Sequence, residues 1–172
     1  KMGRNFYYFQ IKKMITEKNR QFIKRAIELS EKGLDSNAGG PFGAVIVKNG
    51  EIIAEGFNQV TSSNDPTAHA EVVAIRKACE KLDSFQLEDC IIYTSCEPCP
   101  MCLGAIYWAR PKAVYYACTK EDAAEIGFDD DFIYDEIDKN IENRNIQFIN
   151  LEREEGRKVF KKWEAKEGRI DY

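Results

Sequence analysis

The sequence lacks any run approaching the roughly 20 apolar residues that a membrane span requires, so no transmembrane helix is expected. It lacks an excess of positive charge. The formal net charge is −4, which gives no general attraction to phosphate backbones. The short basic clusters Arg157-Lys158 and Lys161-Lys162 are mixed with acids and read as a solvated helix face. No Asn-x-Ser/Thr sequon occurs. Residues 1–15 place Lys1, Arg4, Lys12 and Lys13 around Phe6-Tyr7-Tyr8-Phe9, but they have no apolar h-region and no small-residue cleavage site. A secretory signal is therefore not expected, and this stretch reads as an N-terminal extension or expression remnant. There is no repeat, no low-complexity segment and no Pro/Gly/Ser-rich linker. Residues 16–172 then form one domain, a length that leaves little room for a second.

What is present supports a packed core, since 44% of the residues are apolar. Six cysteines occur, at 79, 90, 96, 99, 102 and 118. Cys79 falls in a helical stretch, while Cys90 and Cys118 fall in apolar strand-like runs. These three read as small buried apolar side chains, and a reducing cytoplasm is the expected compartment. From Glu17 to Leu34, Phe22, Ile23, Ala26, Ile27 and Leu34 recur at helical spacing. Ala44–Val47 and Ile52–Ala54 flank Asn49-Gly50, a type I′ hairpin signal. A polar loop from Asn58 to Thr67 follows. His69–Leu82 reads as a helix, Cys90–Thr94 as a buried strand, and Cys99–Ala109 as a helix with Pro98 in its first turn. Ala113–Ala117 is a further strand, Glu121–Ile126 a short helix, Asn145–Leu151 a last strand, and Glu152–Lys166 a charged helix. The alternation predicts an α/β fold, a three-layer α/β/α sandwich with strand–helix–strand crossovers. Two consecutive helices then begin at one edge of the sheet, carrying His69 and Cys99-x-x-Cys102 at their starts.

Cys99 and Cys102 are three apart and share a helix face. A thiolate at a helix N-terminus is stabilised by the free N–H groups and the dipole. With His69, the only histidine, they form a donor set suited to borderline-soft Zn²⁺. Three protein ligands leave a tetrahedral ion one position for water, the pattern of a catalytic site. Cys96 leaves alternatives open, because Cys96-x-x-Cys99-x-x-Cys102 also suits part of an iron–sulfur cluster, or a closed structural zinc with Cys96 as fourth ligand. Glu71 favours catalysis: two residues past His69, its carboxylate can take a proton from metal-bound water and pass it on. His-x-Glu followed by Pro-Cys-x-x-Cys is the signature of zinc nucleobase deaminases. It stands here as His69-Ala70-Glu71 and Pro98-Cys99-Pro100-Met101-Cys102.

At these residues the chain resembles the cytidine-deaminase-like superfamily of zinc hydrolases, and within it the bacterial guanine deaminases. The likeness extends through Gly39–Val47, Ser63–Glu71, Tyr93–Arg110, Gly127-Phe128-Asp129-Asp130 and Tyr172. The resemblance implies a mixed five-stranded sheet between helices. It implies one Zn²⁺ per subunit, with water or hydroxide as fourth ligand, and hydrolysis of guanine to xanthine and ammonia in purine breakdown or salvage. It further implies a homodimer in which the segment from about 150 to 172 is exchanged onto the partner, with no nucleic-acid or membrane partner. Cys96 matches a position that is not a ligand in the family. Asn58 then offers donor and acceptor to a purine edge. Phe42 and Trp108 sandwich or edge-pack the base. Asp130 accepts from the guanine N1–H or 2-amino group, and Tyr172 reaches the partner's site. The rival readings are a transfer-RNA adenosine deaminase, a cytosine or nucleoside deaminase, and a non-catalytic zinc-stabilised module.

Overall fold

The computed structural model describes residues 15–172, so the expected extension over residues 1–15 lies, Ile15 apart, outside the described residues. The chain divides into two compact units, one ending at Asp130 and one spanning Asp131–Tyr172. In the first unit, helix α1 (Glu17–Asp35) begins at a capping box: the Thr16 hydroxyl accepts from the Asn19 amide, and the Asn19 side chain accepts from the Thr16 amide. Strands β1 (Gly43–Lys48) and β2 (Glu51–Phe57) form the expected hairpin. Asn49 and Gly50 both take positive φ, 53° and 78°, as a type I′ turn demands. The expected loop after Asn58 contains a single helical turn, α2 (Val60–Ser63). Helix α3 (Ala70–Leu82), strand β3 (Cys90–Cys96), helix α4 (Pro100–Ala109), strand β4 (Ala113–Cys118) and helix α5 (Lys120–Glu125) complete this unit.

Among the described residues the sheet has four strands, in the order β2-β1-β3-β4, rather than the expected five. β1 pairs antiparallel with β2 and with β3, while β3 and β4 run parallel. Asn145–Leu151 joins no strand. Its alternation is broken at Phe148-Ile149, and Ile146, Phe148, Ile149 and Leu151 are all exposed in the second unit. The three layers are as expected. One face of the sheet packs Val45, Val47 and Tyr93 against Phe22, Ile23 and Leu29 of α1. The other packs Ala44, Ile46 and Ile92 against Ala70, Ala74 and Ala78 of α3 and Ile106 and Ala109 of α4. Covered on both faces, β1 shows no polar alternation, and this explains the unbroken Ala44–Val47 run.

Of the three cysteines expected to be buried, Cys90 is, Cys79 is half-buried, and Cys118 is exposed. The difference at Cys118 is one of position: it ends edge strand β4, whose last three residues face solvent. All six cysteines are free. The second unit carries α6 (Asp131–Asp138), a 3₁₀ turn (Ile141–Asn143) and α7 (Arg153–Glu164). Helix α6 was not anticipated, although Phe132, Ile133, Glu136 and Ile137 have helical spacing.

The close approach of α3 to β2 depends on Gly56. A Cβ there would stand 2.4 Å from the Ala70 carbonyl oxygen and 2.8 Å from the Ala74 nitrogen, both backbone atoms of α3. Gly56→Ala is expected to cost about 1–3 kcal/mol, the usual range for overpacking a core. Thermal unfolding measures it directly: a lowered midpoint is expected, and an unchanged one would contradict this packing.

Candidate active site

β2 and β3 point the same way, so the helices that follow them start at the same end of the sheet. His69 is the N-cap of α3 and Cys99 the N-cap of α4, and neither side chain caps its own helix. Both are thus left to project from the helix starts. Pro100, not Pro98, occupies the first turn of α4. Its missing N–H is one that no helical carbonyl would have met. Cys102 lies one turn on and is buried.

The His69 Nδ1 atom lies 3.5 Å from Cys99 Sγ and 3.6 Å from Cys102 Sγ. The donor atoms of all three residues fall within 4.8 Å of one another. For tetrahedral zinc with Zn–N of about 2.05 Å and Zn–S of about 2.3 Å, the N···S edge is about 3.6 Å. The donor set therefore fits zinc in both chemistry and spacing. Cys96 is not among these residues. Its thiol donates to the Thr119 carbonyl at 3.4 Å, and burial pushes it up to about 11. It has the environment of a protonated structural thiol.

Glu71, in the first turn of α3, is 6% exposed. Its Oε2 accepts from the Cys102 thiol at 3.4 Å, and its Oε1 accepts from the Thr94 hydroxyl at 3.3 Å. Burial raises the Glu71 carboxyl above its ordinary range. Cys99 is brought down to about 4, first by the neighbouring Cys102 side chain and then by His69. The same contact with Cys99 pushes Cys102 up, and the bond to Cys99 raises His69. The cluster thus favours a negative charge on Cys99, and a cation bound there would displace the protons of its ligands.

Asn58 is buried beside Gly39, where a Cβ would meet Asn58 Oδ1 at 2.0 Å. Its Oδ1 accepts from the Val60 amide at 3.1 Å, which orients the side-chain amide. Phe42 is half-buried and packs edge-to-face on Phe128, with centroids 4.9 Å apart and planes at 88°. Gly40 leaves room for both rings, since a Cβ there would stand 2.9 Å from Phe128 Cζ and 3.0 Å from Phe42 Cε2. Asp130 is half-buried two residues past Phe128. Trp108 is 63% exposed, and at nine residues beyond Cys99 it lies about 13 Å further along α4. The chain does not bring it to the metal triad. Tyr172 lies in the second unit and is exposed. Sequence reasoning missed Thr94 and the ring contact of Phe128. A threonine on the α3-facing side of a buried strand was the available signal for the first.

Substituting Cys99 or Cys102 by serine is expected to abolish stoichiometric zinc binding, whereas Cys96→Ser is expected to retain it. Metal analysis of the purified variants decides this, and loss of zinc from Cys96→Ser would point to a closed four-ligand site.

Residues 16–118 match the family described as cytidine and deoxycytidylate deaminase zinc-binding region. The chain is 66% identical over 142 residues to guanine deaminase of Bacillus subtilis (strain 168), covering 83% of this chain and 91% of that protein. The X-ray structure of guanine deaminase from Bacillus subtilis superposes with a TM-score of 0.87 at 59% identity, covering 92% of this chain and 99% of that one. The crystal structure of an NE0047 variant in complex with 8-azaguanine superposes with a TM-score of 0.63 at 34% identity, over 65% of each chain. Family match, triad geometry and an almost end-to-end relative agree: the chain belongs to the cytidine and deoxycytidylate deaminase zinc-binding family, alongside guanine deaminase.

Proposed function

We propose that this protein is a zinc-dependent aminohydrolase that converts guanine and water to xanthine and ammonia. The observation that carries the reading is the buried Glu71 carboxylate, 3.4 Å from Cys102 Sγ at the edge of the His69–Cys99–Cys102 triad. The 66% identity to a guanine deaminase supports the choice of base. His69, Cys99 and Cys102 would hold zinc. When bound, zinc would supply Lewis acidity that lowers the pKa of a coordinated water far below that of bulk water, to about 7.

Glu71 accepts a proton from the attacking water and delivers it to the adjacent purine ring nitrogen. The oxygen adds to C2, the carbon bearing the amine. Glu71 then carries the second water proton to that amine, the C2–N bond breaks, and ammonia leaves. One carboxylate can serve both transfers because water, ring nitrogen and leaving amine surround a single carbon. The NH₂ of Asn58 is suited to an acceptor on the purine edge, because Oδ1 is already engaged by the Val60 amide. Phe42 offers a flat apolar wall. Asp130 is suited to the N1–H and 2-amino donors that distinguish guanine.

Trp108 and Tyr172 enter this scheme through a homodimer that exchanges residues from about 150 onward. Exposed apolar side chains support the exchange, namely Ile149, Leu151 and Phe160 in the segment itself and Tyr107 and Trp108 on α4. The net charge of −4 argues against a structured RNA as substrate.

Two measurements test the function. In a panel of guanine, adenine, cytosine, their nucleosides and an RNA stem-loop, guanine is expected to release ammonia fastest. Activity on the stem-loop without activity on free guanine would overturn the assignment. Glu71→Gln is expected to retain zinc and to lose about 10²-fold or more in kcat, the scale of a lost general acid–base group. Near-normal turnover in that variant would remove Glu71 from the proton path.

A further inference from the structure

Thr94 lies in β3 between residues that form the core, and it is 1% exposed. A hydroxyl so deeply buried is costly unless it is hydrogen-bonded, and valine would fill the same volume without that cost. Its hydroxyl has two acceptors in reach, Glu71 Oε1 at 3.3 Å and the Gly43 carbonyl oxygen at 3.4 Å. From these contacts, and resting on the proposed role of Glu71, we infer that Thr94 is a positioning residue that fixes which oxygen of Glu71 moves protons.

The two carboxylate oxygens have different neighbours. Oε2 accepts from the thiol of Cys102, and Oε1 from the hydroxyl of Thr94. Oε1 is the oxygen that β3 holds, through the Thr94 hydroxyl, and Oε2 is the one that stands on the side of Cys102 and the donor triad. That side is where the attacking water is proposed to give up its proton. Without the hydroxyl, the carboxylate can rotate about its last bond, and neither oxygen is reserved for transfer.

The test compares wild type, Thr94→Val and Thr94→Ser as zinc-loaded enzymes with guanine as substrate. Thr94→Val keeps the volume and removes the hydroxyl, while Thr94→Ser restores it. For Thr94→Val, kcat is expected to fall about tenfold with KM within about twofold, the pattern of a misplaced catalytic group rather than weakened binding. Zinc content and thermal midpoint should match wild type. Thr94→Ser should recover kcat to within about threefold of wild type. A crystal structure of Thr94→Val should show the Glu71 carboxylate turned from its wild-type orientation. Wild-type kcat in Thr94→Val overturns the inference. So does a fall in kcat that Thr94→Ser fails to restore, or one that tracks lost zinc, because either marks a packing role. If Thr94→Val does not fold, Thr94→Ala is read by the same criteria. A zinc-loaded wild type that releases no ammonia from guanine refutes the proposed function itself, before any substitution is compared.

Discussion

Two helix amino termini meeting at one end of a sheet are the constraint on which the rest of the site depends. His69 and Cys99 are both N-caps, and each follows a strand of the same direction. The peptide dipoles of α3 and α4 therefore point their positive ends at the same small volume, where they favour thiolate over thiol. The close seat of α3 on β2 at Gly56 and the buried strand β3 beside it fix the separation of the two caps. The three donor atoms already stand within 4.8 Å of one another, and a cation bound there would take the place of the protons on its ligands.

The same architecture separates the three metal-ligand candidates from the carboxylate proposed to carry protons. Glu71 sits two residues inside α3, buried against β3, while His69 stays at the cap. A two-residue step at a helix start turns successive side chains in different directions. The carboxylate thus borders the donor triad without joining it. Burial opposes the charge of Glu71, which suits the role proposed for it, accepting and releasing protons within one turnover.

Much of this was legible in the sequence, for reasons that differ by residue. Cys99, Cys102 and His69 announce themselves because ligand chemistry restricts both residue type and spacing. Asn49-Gly50 does so because few residues accept positive φ, and the run Ala44–Val47 because a strand covered on both faces cannot alternate. Other features depend on contacts that no local pattern records. The segment Asn145–Leu151 has strand-like composition, yet a strand exists only where a neighbouring backbone offers its hydrogen bonds. Cys118 resembles Cys90 in its local run, but an edge strand leaves it exposed. Pro100 rather than Pro98 starts α4, a shift of two residues that composition does not resolve. Thr94 looks like any β-branched strand residue until α3 is laid across it, and Phe128 meets Phe42 only through the turn after α5.

The proposed chemistry rests on a zinc ion held by one imidazole and two sulfurs with a remaining position for water, and X-ray absorption at the zinc edge reads that coordination directly. Two sulfur scatterers at about 2.3 Å and two nitrogen or oxygen scatterers at about 2.0–2.1 Å are expected. Three or four sulfurs in the zinc shell, or a shell with no sulfur, would contradict it.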